Sequence, residues 1–399
     1  MNKSSTSADP NQKTWRYPSA DRRDLRIDFL RGIAMIIMVV AHIEVFSVFN
    51  LFTSERFGLV SGAEGFVIFA GIVLGSLYRY RLPLDGWITS IFRIWSRAWK
   101  LYTVSLFIII SIYLLGLFPF INAHEVLTFT NRGLNIVYPL YPINDVPLNT
   151  ALNFLFYLQA GPHQTQVLGL YVVLMLVTPL AFAAFYYKKQ GWFLLVSWLV
   201  YFWSQKHSDY HLIHSNFENA FSVLAWQALF FNSLAIGWFK AEISSYMYSW
   251  RKFFLLGFCI FTSLGLFFLA QNHTNPFLPD WAHLRLIKAE TFDYIYNSYA
   301  LKNSLGPVRL LNDFCLLVSL YWLLTLCWKP FYKAFGWYLI PVGQASLYVF
   351  IIHVYVVLLA SQLVSFSLQP NNWVIATSIH AGSLLFLWWM TKKEVGMKY

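Results

Sequence analysis

Two side chains that can do acid–base chemistry lie at matching positions in successive apolar stretches of the sequence. His42 ends an apolar run that begins after Arg31, and Glu64 lies near the start of the next apolar run. A histidine held by a buried carboxylate is a general base that can deprotonate a hydroxyl group. We therefore predict that His42 is the catalytic base and that Glu64 orients it. The alternatives are a histidine that only bonds a neighbouring helix and a structural glutamate capped by hydroxyl groups.

Other ionisable residues in apolar surroundings are candidates for a supporting role. Arg31 precedes His42 by eleven residues, so the two share one side of a helix, about 16 Å apart along its axis. Asp28 and Arg31 have the i,i+3 spacing of a helical ion pair, which could also serve only to anchor the helix end. His353 lies in a later apolar run without an obvious partner in the sequence.

A basic segment follows the second apolar run. Arg93, Arg97 and Lys100 have the i, i+4, i+7 spacing of one helical face, and tryptophans are interleaved with them. Such a face could bind a phosphorylated cofactor through charge-assisted hydrogen bonds. Contact with anionic lipid head groups is the alternative, and the spacing alone does not decide between the two.

The composition shows which kind of element must position these groups. Of the 399 residues, 58% are hydrophobic and only 12% are charged, whereas a soluble domain has about 25% charged residues. So few charges cannot cover a water-soluble globule of this size. We predict an all-α polytopic membrane protein, and we exclude a disordered chain, a disulfide scaffold and a nucleic-acid-binding domain. The three cysteines lie in apolar stretches without metal-ligand spacing and are typical of core packing.

About ten apolar runs approach the roughly 17–25 residues that a transmembrane helix needs. The fifth of them is the shortest, and the glycines of the second, spaced by four, allow close helix contact. The predicted spans are 27–50, 57–78, 101–121, 166–187, 191–205, 221–239, 251–270, 308–328, 342–365 and 373–391.

The distribution of basic residues sets the orientation of these spans. With the N-terminus inside, 21 of the 29 Lys and Arg residues lie on the inner side and 7 on the outer side. An excess of Lys and Arg is typical of the loops on the cytoplasmic side of a membrane protein. We therefore predict a cytoplasmic polar segment 1–26, a single membrane domain 27–391 and a cytoplasmic tail 392–399, in a bacterial inner membrane.

The outer loops carry two weaker signals. Loops 122–149 and 271–307 are rich in Tyr, Trp, Asn and Pro, which suits sugar rings as well as an interfacial aromatic belt. His207, His211 and His214, near Asp209, have spacing that could place three metal ligands on one helical face. No cysteine or glutamate-rich motif accompanies them, so we expect no metal ion.

Taken in order, several segments of the sequence resemble one family. The chain is similar to OpgC-type osmoregulated periplasmic glucan succinyltransferases, which are related to the membrane acyltransferase-three superfamily. A basic residue ahead of a histidine in the first span, here Arg31 and His42, also fits that superfamily. The resemblance covers roughly residues 22–365, and its main segments are 23–32 (RDLRIDFLRG), 63–67 (AEGFV), 167–171 (VLGLY), 225–230 (AWQALF), 306–311 (GPVRLL) and 343–350 (GQASLYVF).

The resemblance implies transfer of an acyl group from cytoplasmic acyl-CoA to a hydroxyl of a periplasmic or extracellular glucan. Succinyl-CoA is favoured as the donor over acetyl-CoA. In this hypothesis the basic face binds the CoA nucleotide, Arg31 lines the donor path, and Gln227 or Arg309 binds the acceptor or the oxyanion. A transporter or flippase of an acyl or sugar-linked compound is the alternative, although we find no internal repeat in the sequence. A non-catalytic scaffold or sensor is a further possibility.

Overall fold

The computed structural model describes residues 15–18, 23–131, 136–143, 146–246, 250–273, 275, 278–364, 366 and 372–393. These residues are mostly helical, with a single two-stranded sheet, so the predicted all-α fold is confirmed. Much of the predicted N-terminal segment 1–26 and residues 394–399 of the predicted tail lie outside the described residues.

The described residues form helices α1 to α17 and strands β1 and β2. They are α1 Leu25–His42, α2 Asn50–Thr53, α3 Gly62–Asp85, α4 Trp87–Gly116, α5 His124–Leu127, β1 Thr128–Asn131, β2 Ile136–Pro139, α6 Leu148–Phe156, α7 Gln166–Tyr186, α8 Gln190–Lys206, α9 Val223–Trp238, α10 Lys240–Tyr246, α11 Arg251–Ala270, α12 Ala289–Ile295, α13 Pro307–Leu326, α14 Trp328–Phe331, α15 Trp337–Gln344, α16 Ser346–Leu363 and α17 Trp373–Lys392. Two π-helical turns, Tyr296–Ala300 and Tyr332–Gly336, lie between α12 and α15.

Seven helices of the described part are long and apolar enough to cross a membrane: α3, α4, α7 (extended to His163), α11, α13, α16 and α17. Helix α1 has 18 residues but carries Arg26, Asp28 and Arg31. Helices α8 and α9 have 17 and 16 residues, which is short for a span. The chain is thus a membrane protein, while ten spans with both termini inside stay a prediction.

The structure corrects the predicted limits of several spans. The first helix ends at His42 instead of continuing to residue 50, and the Ile43 carbonyl accepts a hydrogen bond from His380 at 3.0 Å. The helix predicted at 101–121 already begins at Trp87, so it includes the whole basic face. The span predicted at 342–365 is divided at Ala345 into α15 and α16.

Close helix contacts fix the positions of α1 and α3. Gly71 and Gly75 face α9, and a methyl group at Gly75 would collide with the Leu234 carbonyl. Gly62 lies against Ala34 of α1 in the same way. The predicted use of small residues for close contact is therefore confirmed for α3, since a glycine lets two backbones approach.

A glycine also sets the turn between α3 and α4. Gly86 has a φ of 76°, a left-handed conformation that costs other residues more because of their Cβ atom. It ends α3 and starts α4, so the chain reverses with a single residue between two long helices.

Candidate active site

A cavity of about 330 Å³ lies at the end of the bundle where α1 ends and α3 begins, here called the His42 end. This volume is in the range of small-molecule sites. The cavity combines side chains from α1, from the start of α3, from α7 and α16, and from four connecting segments. Its polar lining includes His42, Glu44, Glu55, His163, Gln164 and Lys302.

His42 is bonded to another histidine in this cavity wall. Its Nδ1 lies 2.8 Å from Nε2 of His353 on α16, and the two rings are stacked with centroids 5.0 Å apart. His353 is fully buried, and its Nδ1 contacts the carbonyl oxygen of Phe350. The candidate base and the buried histidine predicted to support it are thus in direct contact.

The chain of bonds fixes where the protons lie. The Phe350 carbonyl can only accept, so Nδ1 of His353 carries the hydrogen, and Nε2 of a neutral His353 is an acceptor. Nδ1 of His42 must then donate to it, which places the lone pair of the His42 ring on Nε2. A neutral histidine in this tautomer can take a proton from a group in the cavity.

The prediction that Glu64 holds the His42 ring is wrong, because both oxygens of the Glu64 carboxylate bond to other residues. Glu64 Oε1 accepts from Arg309 at 2.7 Å, and Oε2 accepts from the backbone and side chain of Ser61, the N-cap of α3. Arg309 is fully buried and also binds Glu55 at 2.5 Å. Because a buried charge needs a partner, Glu64 holds Arg309 and the start of α3 together. The Ser-x-x-Glu spacing of a capping box was the signal in the sequence.

The two predicted acceptor or oxyanion groups do not line the cavity. Gln227 accepts from Ser197 at 2.6 Å and donates to the carbonyl oxygens of Ser197 and Leu224, so its amide joins α9 to α8. The guanidinium of Arg309 is taken by Glu55, Glu64 and the Ala300 carbonyl. Both groups are committed to holding helices and segments of the fold together.

Other polar groups line the cavity in their place, and the sequence did not single them out. Gln164 is 1% exposed, and among the described residues neither atom of its amide has a partner. Glu55 Oε2 and His163 Nδ1 are also buried without a partner in the described part of the chain. Unpaired buried polar atoms are costly, and their convergence on one cavity is typical of a ligand site.

Lys302 brings the positive charge of the cavity. It is the one Lys or Arg among the described residues that line it. Burial lowers the pKa of its ammonium group, although the carboxylates of Glu64 and Glu55 act in the opposite direction. The sequence contained a signal that could have singled out Lys302, which is one of the few basic residues on the predicted outer side.

The opposite end of the bundle, here called the Arg97 end, carries the predicted basic face. Arg93, Arg97 and Lys100 are exposed on α4, as expected for one helical face. Arg93 forms an ion pair with Asp85, the last residue of α3. The three basic side chains are thus placed side by side on one exposed face of α4.

The predicted pair of Asp28 and Arg31 is loose. Arg31 Nη1 lies 3.9 Å from Asp28 Oδ1, while Asp28 Oδ2 accepts from Arg23 at 2.6 Å. Arg31 instead donates to the hydroxyl of Ser346 on α16, and it lies near enough to Arg97 for the two charges to interact. Arg31 therefore lies between the exposed basic face and the interior of the bundle.

Comparison with known families decides the relationship of the chain. The family model described as OpgC protein matches residues 23–394, which is nearly the whole sequence. The chain belongs to the OpgC protein family. No curated protein and no solved structure matches it.

Membership of the OpgC family identifies the class of activity. At the level of the family it indicates a membrane acyltransferase that modifies glucans. In this OpgC protein the cavity at the His42 end contains a histidine with a free basic nitrogen beside unpaired polar groups. Among the described residues no group of three or more His, Cys, Asp or Glu side chains is placed to hold a metal ion, and this includes the region of His207, His211 and His214.

Proposed function

We propose that this protein transfers an acyl group, succinyl in preference to acetyl, from acyl-CoA to a hydroxyl group of a periplasmic or extracellular glucan. The chain of bonds from His42 through His353 to the Phe350 carbonyl carries this proposal, because it leaves a basic nitrogen facing the cavity. General base catalysis needs that arrangement next to the hydroxyl to be acylated.

In the proposed reaction Nε2 of His42 takes the proton of the glucan hydroxyl while the oxygen of that hydroxyl bonds to the thioester carbon. The carbon–sulfur bond then breaks, and His42 returns the proton to the sulfur of CoA. The products are an ester and the thiol of CoA, so no proton or electron is left over. The amide of Gln164, buried and unpaired beside His42, donates to the oxyanion that forms at the thioester carbon.

The donor approaches from the Arg97 end. Its phosphates bind Arg93, Arg97 and Lys100, and its thin pantetheine arm passes Arg31 towards His42, about 16 Å further along α1. Tyr171 of α7 lies near this path, since the charges of Arg31 and Arg97 both act on it. Its buried hydroxyl has no partner among the described residues. In this proposal the Tyr171 hydroxyl and Arg31 are the polar groups beside the path of the pantetheine arm.

The proposed setting is a bacterial inner membrane with both termini in the cytoplasm. The bilayer, acyl-CoA and a glucan are the partners, and neither a metal ion nor nucleic acid takes part. The excess of basic residues on the predicted inner side supports this orientation. In this proposed orientation the basic face meets the donor in the cytoplasm, and the His42 end meets the glucan on the outer side of the membrane.

The test is transfer of labelled succinyl from succinyl-CoA to purified glucan by the protein in liposomes. We expect His42→Ala to lower kcat by about 10²–10⁴-fold, the usual contribution of general base catalysis. His214→Ala, which changes an exposed histidine, is the matched control and keeps the wild-type rate.

Full transfer by a folded His42→Ala protein contradicts the assigned base. Transport of glucan or acyl compounds by the wild type without any acyl-CoA would support the transporter alternative.

A further inference from the structure

Lys302 is a positively charged group in the lining of the cavity. Among the residues that the structure describes, its ammonium forms no hydrogen bond or ion pair. The ammonium lies over the face of the Phe221 ring, 5.8 Å from the ring centre. A buried or half-buried lysine is costly without a partner, so this charge indicates an anionic ligand.

The nearby carboxylates do not require Lys302 as their partner. Glu64 and Glu55 both accept from the guanidinium of Arg309, at 2.7 and 2.5 Å. Arg309 is fully buried and therefore cannot serve a ligand in the cavity. The second positive charge, on Lys302, lies on the cavity side of this network and is available to a ligand.

The position of Lys302 suits one end of a short ligand whose other end is at His42. Lys302, His42 and His163 all line the same cavity of about 330 Å³, and the charge of Lys302 acts on both histidine rings. The donor carbonyl must reach His42 in the proposed reaction. A second, anionic group a few bonds away from that carbonyl would then come within reach of the ammonium.

We propose that Lys302 binds the free carboxylate of a dicarboxylic acyl group and thereby selects succinyl over neutral acyl groups of the same length. This inference rests on the proposed function, since it assigns the acyl end of its donor. A neutral glucan offers no charge of its own, which favours the donor as the source of the anion. An acidic substituent on the acceptor would have the same chemistry, so the experiment separates the two sources.

The experiment compares kcat/KM for succinyl-CoA and for butyryl-CoA, which has the same chain length and no carboxylate, with a neutral glucan as acceptor. Lys302→Met should lower kcat/KM for succinyl-CoA by at least about tenfold, because a charge-assisted bond is lost. The value for butyryl-CoA should change by less than about threefold, and Lys302→Arg should keep the preference for succinyl-CoA. Lys288→Met, which changes an exposed lysine in a neighbouring outer segment, is the matched control.

Three outcomes overturn the proposal. An equal loss with both donors would mean that Lys302 only supports the fold, and equal use of both donors by the wild type would mean that nothing selects the carboxylate. If Lys302→Met slows transfer only when the glucan carries acidic substituents, the anion belongs to the acceptor and the proposed assignment is wrong.

Binding of free succinate tests Lys302 without the transfer reaction. Succinate should raise the Tm of the wild type and of Lys288→Met in detergent, but not that of Lys302→Met, and butyrate should raise none of them. If no acyl-CoA supports transfer while succinate binding needs Lys302, the proposed function fails and the anion site stands. If transfer occurs and neither succinate binding nor donor preference depends on Lys302, the anion site is wrong and the proposed function stands.

Discussion

The two ends of the bundle treat their charged groups in opposite ways. At the His42 end Arg309 and Glu64 are fully buried and bonded to each other at 2.7 Å, while Lys302 lies in the cavity lining. At the Arg97 end they are exposed on the surface of α4, and an ion pair such as Arg79 with Glu242 is almost half exposed on both sides. Removing one partner of a buried ion pair strongly destabilises the fold, because the other charge is left buried and unpaired. Exposed ion pairs contribute little to stability.

This difference separates two roles that the sequence presented together. Under the proposed function, the charges of the Arg97 end need only be present on one helical face to attract a phosphorylated donor. The groups of the His42 end must be held in fixed directions, because a base and an oxyanion donor act only from set positions. Substitutions should therefore affect the fold and the chemistry at one end, and only donor binding at the other.

The largest expected effect is on stability at the His42 end. Arg309→Met should lower the free energy of unfolding by about 3–5 kcal/mol, because it leaves the carboxylates of Glu55 and Glu64 without their cation. Arg97→Met, the control from the other end, should change it by less than about 0.5 kcal/mol. Denaturation in detergent measures both.

A second substitution makes this prediction sharper. Adding Glu64→Gln to Arg309→Met removes one of the unpaired charges and should restore part of the lost stability. An unfolding free energy for Arg309→Met close to that of the wild type would show that the two ends do not differ in this way.

The next largest effect is on the rate of transfer. His353→Phe keeps a ring beside His42 but removes the nitrogen that accepts from it, so kcat should fall by about 10–100-fold. The KM for acyl-CoA should not change, since the donor nucleotide binds at the other end. Steady-state kinetics measure both, and His124→Phe, at an exposed histidine, is the control. An unchanged kcat would mean that His353 does not orient the base.

At the Arg97 end the expected effects are smaller. Arg97→Gln or Lys100→Gln should each raise the KM for acyl-CoA by about two- to fivefold with kcat unchanged, because exposed ion pairs are weak. The effect should disappear at high salt. Lys189→Gln, at another exposed lysine, is the control. If these changes alter only the response to anionic lipid, the face binds the membrane instead of the donor.

The smallest effect is a pH dependence of donor preference. Lysine is charged below its pKa, and burial lowers the pKa of Lys302. The preference for succinyl-CoA over butyryl-CoA should therefore be greatest at low pH and decline as the pH rises, before an exposed lysine would lose its charge. The charged and titratable groups that act on Lys302 or on which it acts are Glu55, Glu64, Arg309, His42 and His163.

The variant Lys302→Arg provides the control for this titration. Arginine stays charged over the whole range, so its preference should not decline. A decline of the same size in Lys302→Arg would assign the pH dependence to another group of the cavity.

The parts of the site that sequence reasoning located are those encoded locally. The basic face follows from residues three and four apart on one helix, and α4 places them as expected. His42 and Glu64 stand out because an ionisable group in an apolar run is unusual. The helix limits were less certain, since the end of α1 is fixed by His380, which lies 337 positions later.

The parts that sequence reasoning missed are pairings between distant residues. His42 meets His353 across 311 positions, and Arg309 meets Glu64 across 245. Gln227 was the polar side chain predicted to bind the acceptor or the oxyanion, yet its amide is bonded to Ser197 of α8. The amide of Gln164, which lines the cavity, has no partner among the described residues. Nothing in the local pattern separates a polar side chain that joins two helices from one that faces a ligand.

The sequence by itself determined the membrane class, the helices and the residues able to do acid–base chemistry. These depend on composition and on spacing within one helix, where neighbours are set by 3.6 residues per turn. The tertiary structure decided which partner each of those residues has, and so which nitrogen of His42 is basic. It also decided that Lys302 lines the same cavity without an ion partner in the described part of the chain. The reason is that a hydrogen bond forms only between groups within about 3 Å, and helix packing alone brings distant positions that close.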